Sequence, residues 1–456
     1  MDTDGFFGAD QQKQFPHLQQ WLGAQGARFP AAMELDLTPK LPKQVYGGDG
    51  GSYFAWCPEE LPMLKEGNIG AANLALKQYG FAVPRYSDSP RLSMFFKKQF
   101  PHLQQWLGAQ GARFPAAMEL DLTPKLPKQV YGGDGGSYFA WCPEELPMLK
   151  EGNIGAANLA LKQYGFAVPR YSDSPRLSMF FKKFYKLLFT FVIHVSGFGT
   201  AGIVLPEKEE KVIAINKGDS IALPFEVVTW WFNSEEADLE ILFLGETHKA
   251  HKAGQFTDFY LTGSNGIFTG FSTEFVGRAW DLDETTVKTL VGSQTGKGIV
   301  KLDADFKMPQ PKVEDRDGFV INCLEAPLDV DIKDGGRVVV LNTKNLPLVG
   351  EVGFGADLVL IDGHSMCSPG FSCDSALQVT YIVGGSGRVQ VVGADGKRVL
   401  ETHITAGSLF IVPRFFVVSK IADTEGMSWF SIVTTPDPNF THLAGRTSMW
   451  KALSPE

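Results

Sequence analysis

The sequence predicts an all-β protein with minor helices, and three observations carry that expectation. After residue 197 the chain is mostly short β-branched and aromatic runs punctuated by Gly, Asp and Pro, as in TAGIVLP, KVIAI, DSIALPF, VVTWWFN and LEILFLG. A second set of such runs follows: ALQVTYIVG, GRVQVVG, HITAGSLFIVP and MSWFSIVTT. The two sets also keep one spacing. Gly199 precedes Gly218 by 19 residues and Gly218 precedes Pro224 by six, while Gly387 precedes Gly407 by 20 and Gly407 precedes Pro413 by six. A shared hairpin, strand and Gly-x-x-x-apolar-apolar-Pro pattern means two homologous β domains. Between them FSTEFVGRAWDLDETTVKTLVGSQ has apolar spacings near three and four, with an N-cap candidate at Ser272 or Thr273, and predicts a helical connector.

A second, different repeat lies over this one. From Lys13 to Lys98 the sequence matches Lys98 to Lys183 without a mismatch, so PRLSMFFKK occurs twice. Structural repeats diverge except where the core constrains them, and their periods run to roughly 20 to 50 residues. An identical 85-residue unit reads instead as a very recent duplication or as a stretch doubled when the coding sequence was assembled; removing one copy from 456 leaves 371 distinct residues. That is room for about two domains with proper cores.

Composition narrows the function classes. The chain is 44% hydrophobic and 12% aromatic with 49 glycines, which fits a globular, turn-rich protein. Its net charge of −9 and the lack of a basic stripe exclude a nucleic-acid partner. The most apolar stretch, LLFTFVIHV, is far shorter than the roughly 20 residues of a membrane-spanning helix, so no membrane partner is expected. Five cysteines, of which Cys142 repeats Cys57, form no disulfide framework and favour a reducing compartment. The start, MDTDGFFGAD, lacks a basic and an apolar leader region, and the expected location is cytoplasmic.

Three stretches carry a family resemblance: QFTDFYLTGSNGIFTGFSTEFVGRAWDLDETTVKTLVGSQTGKGIVKLD, GRVQVVGADGKRVLETHITAGSLFIVPRFFVVSKIADTEGMSWFSIVTT and the ending HLAGRTSMWKAL. Together they closely resemble plant legumin-type (11S, glutelin type-A) globulins of the cupin superfamily. The match runs from about Met118 to Leu453, with a gap around residues 177 to 197. The resemblance implies a bicupin of two jelly-roll barrels with flanking helices, assembled as a homotrimer. It also implies this division: residues 1–117 an extension holding a surplus copy (13–98) of the first domain's start, 118–271 the first barrel, 272–314 the connector and 315–456 the second barrel. In that frame PRLSMFFKKFYKLLFTFVIHV stands where the family has a core strand. MFFKKFYK is then expected as a basic, aromatic bulge and LFTFVIHV as the replacement strand.

Cupin barrels often hold a metal on two histidines, a carboxylate and a third histidine, a donor set suited to manganese or iron. The matching positions here are Arg170, Ser172 and Thr229 in the first barrel and Gly370, Ser372 and Val418 in the second, with no imidazole at any of them. His364, Cys367 and Cys373 are soft ligands close together in sequence, but a fourth is missing nearby and structural cysteines are the expectation. His248 and His251 in ETHKAHKAG are read as solvated loop residues among lysines. Gly197, Gly199 and Gly202 satisfy G-x-G-x-x-G but continue into IVLPE, a strand stopped by proline, where a nucleotide site needs a helix. GHSMC resembles a nucleophile elbow but ends in cysteine and lacks the strand-turn-helix context. Trp230 and Trp231 should alternate across a strand, one lining the barrel.

The resemblance further implies precursor cleavage at an Asn-Gly bond beside a disulfide; here Asp317-Gly318 and Cys323 occupy those places in EDRDGFVINCLEAPL. The sequence therefore reads as a non-enzymatic nutrient-reservoir bicupin with no catalytic, cofactor-binding or metal-binding residues and no cofactor. The alternatives are a cytosolic cupin that binds a small molecule in a barrel or serves a structural role, and, further off, a metal-dependent enzyme. Family resemblance adds the protein storage vacuole as an alternative location.

Overall fold

A computed structural model describes residues 41–49, 51–60, 64, 71–77, 121–181, 199–373, 376–393, 396–445 and 448–452. The chain divides into two compact units, one within residues 1–118 and the other within 88–90 and 119–456. In the first, Lys43–Gly48, Gly51–Ala55 and Ala72–Leu76 form a three-stranded antiparallel sheet.

The second unit contains two barrels. In the first barrel a six-stranded sheet runs Lys211–Ile215, Gly199–Val204, Val228–Phe232, Gly165–Ser172, Asp258–Tyr260, with Ile299–Lys301 also on Gly165–Ser172. It faces a seven-stranded sheet ordered Val320–Asn322, Asp219–Leu223, Arg176–Phe181, Leu239–Glu246, Ile154–Leu161, Gly136–Ala140, Lys128–Gly133. The inward residues Leu159, Ala201, Ile213, Ile221, Trp231 and Phe243 form one core between them. In the second barrel two long strands, Gln378–Val392 and Val417–Val433, pair along most of their length and join a nine-stranded sheet. Strands of 15 and 17 residues are long for a globular domain; each serves both layers of the barrel.

The internal repeat read from spacing is real in backbone detail. Gly218 and Gly407 take φ of 87° and 90°, a left-handed turn that a side chain would strain, and each is followed closely by a core strand. Two residues past the prolines that stop those strands, Glu226 and Phe415 both have positive φ, at 66° and 62°. The helical patch resolves into two helices. Thr273–Trp280 is capped by Ser272, whose hydroxyl accepts from Phe275 N, and Glu284–Gly292 is capped by Asp283; a left-handed Asp281 separates them. The connector does not simply leave the first barrel, since Ile299–Lys301 returns to one of its sheets, and Val320–Asn322, from the segment assigned to the second barrel, pairs with Asp219–Ile221 of the other.

One expectation is corrected. Met179–Phe181, the start of MFFKKFYK, is no bulge: Arg176–Phe181 is a central strand, buried at all six positions, between Asp219–Leu223 and Leu239–Glu246, and KKFYK lies outside the described residues. Its period of two explains the choice of residues. Phe180 points into the first barrel against Trp231, with ring centroids 5.6 Å apart. Leu177, Met179 and Phe181 point the other way, into an apolar cluster shared with the second barrel, where Phe181 stacks on Tyr381 at 5.5 Å. Trp141 closes the same seam, edge-on to Tyr381 at 5.8 Å. The segment LFTFVIHV lies outside the described residues.

The exact duplication allows one sequence to be compared in two settings. Among the described residues of the first unit ANLAL pairs with GSYFA alone, and Leu74 and Leu76 are 40% and 50% exposed. In the second unit the same residues sit between Gly136–Ala140 and Leu239–Glu246, and Leu159 and Leu161 are fully buried. Burying a leucine is worth about 1.5 to 3 kcal/mol, so the neighbouring strand, not local propensity, decides what this stretch contributes.

Candidate functional site

In the first barrel the three positions read from sequence come together. Thr229 lies in register with Arg170 across one strand pair, and Ser172 with Asp258 across the next. An arginine on a core strand cannot reach solvent, so the barrel supplies a partner: Asp258 Oδ2 lies 3.3 Å from Arg170 Nε. Arg176, at the start of the opposing central strand, donates from Nη2 to Asp258 Oδ1 at 2.5 Å and to Ser172 Oγ. Its guanidinium is held between the Phe256 ring, 4.2 Å from the centroid, and Phe243 at 5.6 Å. Burial is the largest influence on Arg170 and works against its charge, but the Asp258 carboxylate and the Tyr131, Tyr260 and Tyr138 phenols together outweigh it and raise the guanidinium pKa above its ordinary value. Behind it Tyr260 donates to the Tyr131 hydroxyl at 2.8 Å, and burial pushes both phenols up. Arg170, Ser172, Arg176, Thr229 and Asp258 border a cavity of about 20 Å³ with Leu223, Val227, Trp231 and Phe243 as its apolar wall.

The second barrel is filled differently. Gly370 pairs with Val418 in register, and a Cβ on Gly370 would come within 2.4 Å of the Phe440 ring, so an aromatic side chain takes the space beside the would-be ligand positions. Two residues beyond Val418, on the same face, Lys420 is fully buried; its cross-strand partners are Cys367 and Val389. The ammonium sits 4.4 Å from the Trp429 ring centroid and 5.7 Å from that of Phe410. Burial pushes Lys420 down and the Cys367 thiol up, and it raises Asp357 to about 6 against the pull of Lys420, Ser431 and Gln378.

The remaining motifs separate. His364 is exposed in a left-handed turn, Cys367 faces inward and Cys373 is exposed at its strand's end. Among the described residues no three His, Cys, Asp or Glu side chains group to hold a metal. His251 meets Asp173, with Nδ1 3.3 Å from Oδ2, while His248 is exposed. Gly199 and Gly202 lie on a strand, and Gly202 leaves room for the Trp230 indole, which a Cβ would meet at 1.9 Å; Gly197 lies outside the described residues. Trp230 and Trp231 alternate as the strand requires: Trp231 is in the barrel core, and Trp230 packs with Val212 and Phe232 and donates to Glu210 at 2.6 Å. Asp317-Gly318 is exposed, with Gly318 at φ 75°, and Cys323 is a buried free thiol that burial pushes up to about 12.

Arg176, Asp258, Asp357 and Lys420 were missed as partners in these interiors. Arg176 and Lys420 carried a signal: each is a lone charge at an inward parity of an otherwise apolar strand, as in VVSKIAD.

Two facing-sheet barrels joined through one apolar seam, each with an interior at the family's ligand positions, define a two-barrel protein of the jelly-roll class. The family model for Cupin matches residues 188–288 and 321–456, and the chain belongs to that family, as a bicupin of the legumin type. It is 23% identical over 411 residues to the 12S seed storage protein CRB of Arabidopsis thaliana, covering 76% of this chain and 87% of that one. To the 11S globulin subunit beta of Cucurbita maxima it is 25% identical over 366 residues, covering 64% and 73%. Its fold superposes on the crystal structure of pumpkin seed globulin with a TM-score of 0.66 at 23% identity, covering 74% and 92%.

Proposed function

We infer that the protein is a nutrient reservoir of the seed-storage type. Similarity to 11S and 12S seed storage proteins, running through both barrels in order, is the observation that supports this most strongly. Abundance measured by quantitative mass spectrometry through seed filling and germination tests it: accumulation followed by loss is expected, and a constant low level would overturn it.

The same reading extends to chemistry, assembly and place. The protein stores without catalysing; Arg170, Ser172 and Thr229, with Gly370, Ser372 and Val418, offer no imidazole where the family's metal-binding members carry theirs. Stoichiometric manganese, iron or zinc in the purified protein would overturn this. It self-associates as a homotrimer, which three chains of 50.0 kDa would show as a species of about 150 kDa in sedimentation. The storage relatives favour the protein storage vacuole over the cytoplasmic location expected from the first residues. The division into an extension to residue 117, barrels at 118–271 and 315–456 and a connector at 272–314 is retained as a proposal. A tryptic peptide running from SMFFK into KQFPHLQQ would establish that both copies of the 85-residue unit are translated.

A further inference from the structure

Asp258 is shared by two buried arginines, so one carboxylate answers two guanidinium charges in the first barrel. Arg170 is 2% exposed, yet among the described residues its Nη1 and Nη2 have no hydrogen-bond partner, and neither has Arg176 Nε. Asp173, which follows Ser172 in the chain, is committed to the backbone N–H groups of His251 and Thr257, the Ser174 hydroxyl and the His251 imidazole, and among the described residues no ion pair joins it to either arginine. The surrounding phenols of Tyr131 and Tyr138 are pushed up by burial and supply no negative charge. An uncompensated ion in an apolar interior is strongly unfavourable, and a neutral water would satisfy N–H groups without offsetting the charge.

We propose that the first barrel binds a small anion, chloride or the carboxylate head of a small organic acid, on Arg170 Nη1 and Nη2 and Arg176 Nε. Both arginines line the cavity of about 20 Å³, and that space suits a monatomic ion or a carboxylate head and excludes a sugar or nucleotide. The apolar wall strengthens the charge-assisted hydrogen bonds by keeping water out. The site stands where cupin relatives place imidazoles around a cation, with the sign of the charge reversed. It does not depend on the storage reading.

The test uses the full chain. Thermal unfolding is followed while sodium chloride or sodium formate replaces the salt of a bulky sulfonate at constant ionic strength. A saturable rise in the midpoint is expected, and Arg170→Gln should weaken the apparent affinity about 10- to 100-fold. A rise with chloride alone assigns a halide site, and a rise with formate alone a carboxylate site. No rise with either overturns the proposal. Crystals soaked in sodium bromide give a reading that needs no variant: anomalous density touching Arg170 and Arg176 is expected, and its absence from the cavity, with bromide bound elsewhere, overturns the halide arm.

Discussion

Replacing Asp219 by alanine should destabilise the first barrel more than any other single charge removal at its edge. Asp219 is fully buried directly after the Gly218 turn, and its carboxylate is saturated. Arg316 Nη1 and Nη2 donate to its two oxygens at 2.8 Å each, Asn216 N donates at 2.7 Å and Asn322 Nδ2 at 2.9 Å. The hydrogen bond to Asp219 also raises the Arg316 pKa above its ordinary value. Asp219→Ala leaves a mostly buried guanidinium with only the Ala214 carbonyl, 2.5 Å away, and strips acceptors from Asn216 N and Asn322 Nδ2. Removing one partner of a buried pair costs about 3 to 5 kcal/mol. Arg316 keeps a quarter of its side chain in solvent, which favours the lower end of that range.

Urea unfolding followed by tryptophan fluorescence measures the change, since Trp230 and Trp231 are in the same barrel. Arg316→Ala completes a double-mutant cycle, and a coupling of about 1 to 3 kcal/mol is expected because the two side chains are in direct contact. A loss under about 1 kcal/mol for Asp219→Ala, or strict additivity in the cycle, would refute the reasoning. The position gives the result a wider meaning. Arg316 precedes the exposed Asp317-Gly318 bond and Asn322 follows it, so one buried carboxylate ties down both sides of the turn at which the family resemblance implies cleavage.

Three further outcomes follow from the same geometry. Asp317→Asn creates an Asn-Gly bond in an exposed turn: an asparagine-specific endopeptidase should cut the variant between residues 317 and 318, a cut the parent does not give there whatever happens at the Asn265-Gly266 bond that both share, and the halves nicked at 317 should co-elute at native size because Val320–Asn322 stays paired to Asp219–Ile221. Leu159→Ala should cost about 2 to 5 kcal/mol in urea unfolding, whereas Leu74→Ala, the same residue of the other copy, should stay within about 0.5 kcal/mol; equal effects would contradict the burial difference. Asp357, raised to about 6 from an unfolded value near 3.9, holds its proton more tightly when folded. Its contribution is therefore fully present below about pH 3.9 and lost as pH rises through about 6, so the stability of Asp357→Asn minus that of the parent should grow by about 2 kcal/mol from pH 4 to pH 7, and a flat difference would count against the shift.

The repeat of Gly218 and Gly407 was legible because a left-handed turn restricts residue type, and a restriction of type is what a sequence displays. The Ser272 cap was legible for the same reason. The fate of PRLSMFF was not. In sequence it looked like an interruption because the text after it is unfamiliar, whereas in the barrel its alternating Leu177, Met179, Phe181 and Ser178, Phe180 serve two different cores at once. Such a strand is apolar on both faces, and the alternation that announces a one-sided strand is missing. Of the interior of the first barrel, the sequence reading found the positions and missed their logic. Arg170 registered only as a missing histidine, because its partner, Asp258, lies far along the chain and is shared with Arg176 on the facing sheet. A metal site announces itself by several residues of one chemical kind; an arginine pair closed on a single aspartate announces itself only when the strands that carry it are assembled. A barrel without imidazoles at these positions is therefore not empty of chemistry: its interior carries two guanidinium groups on one carboxylate.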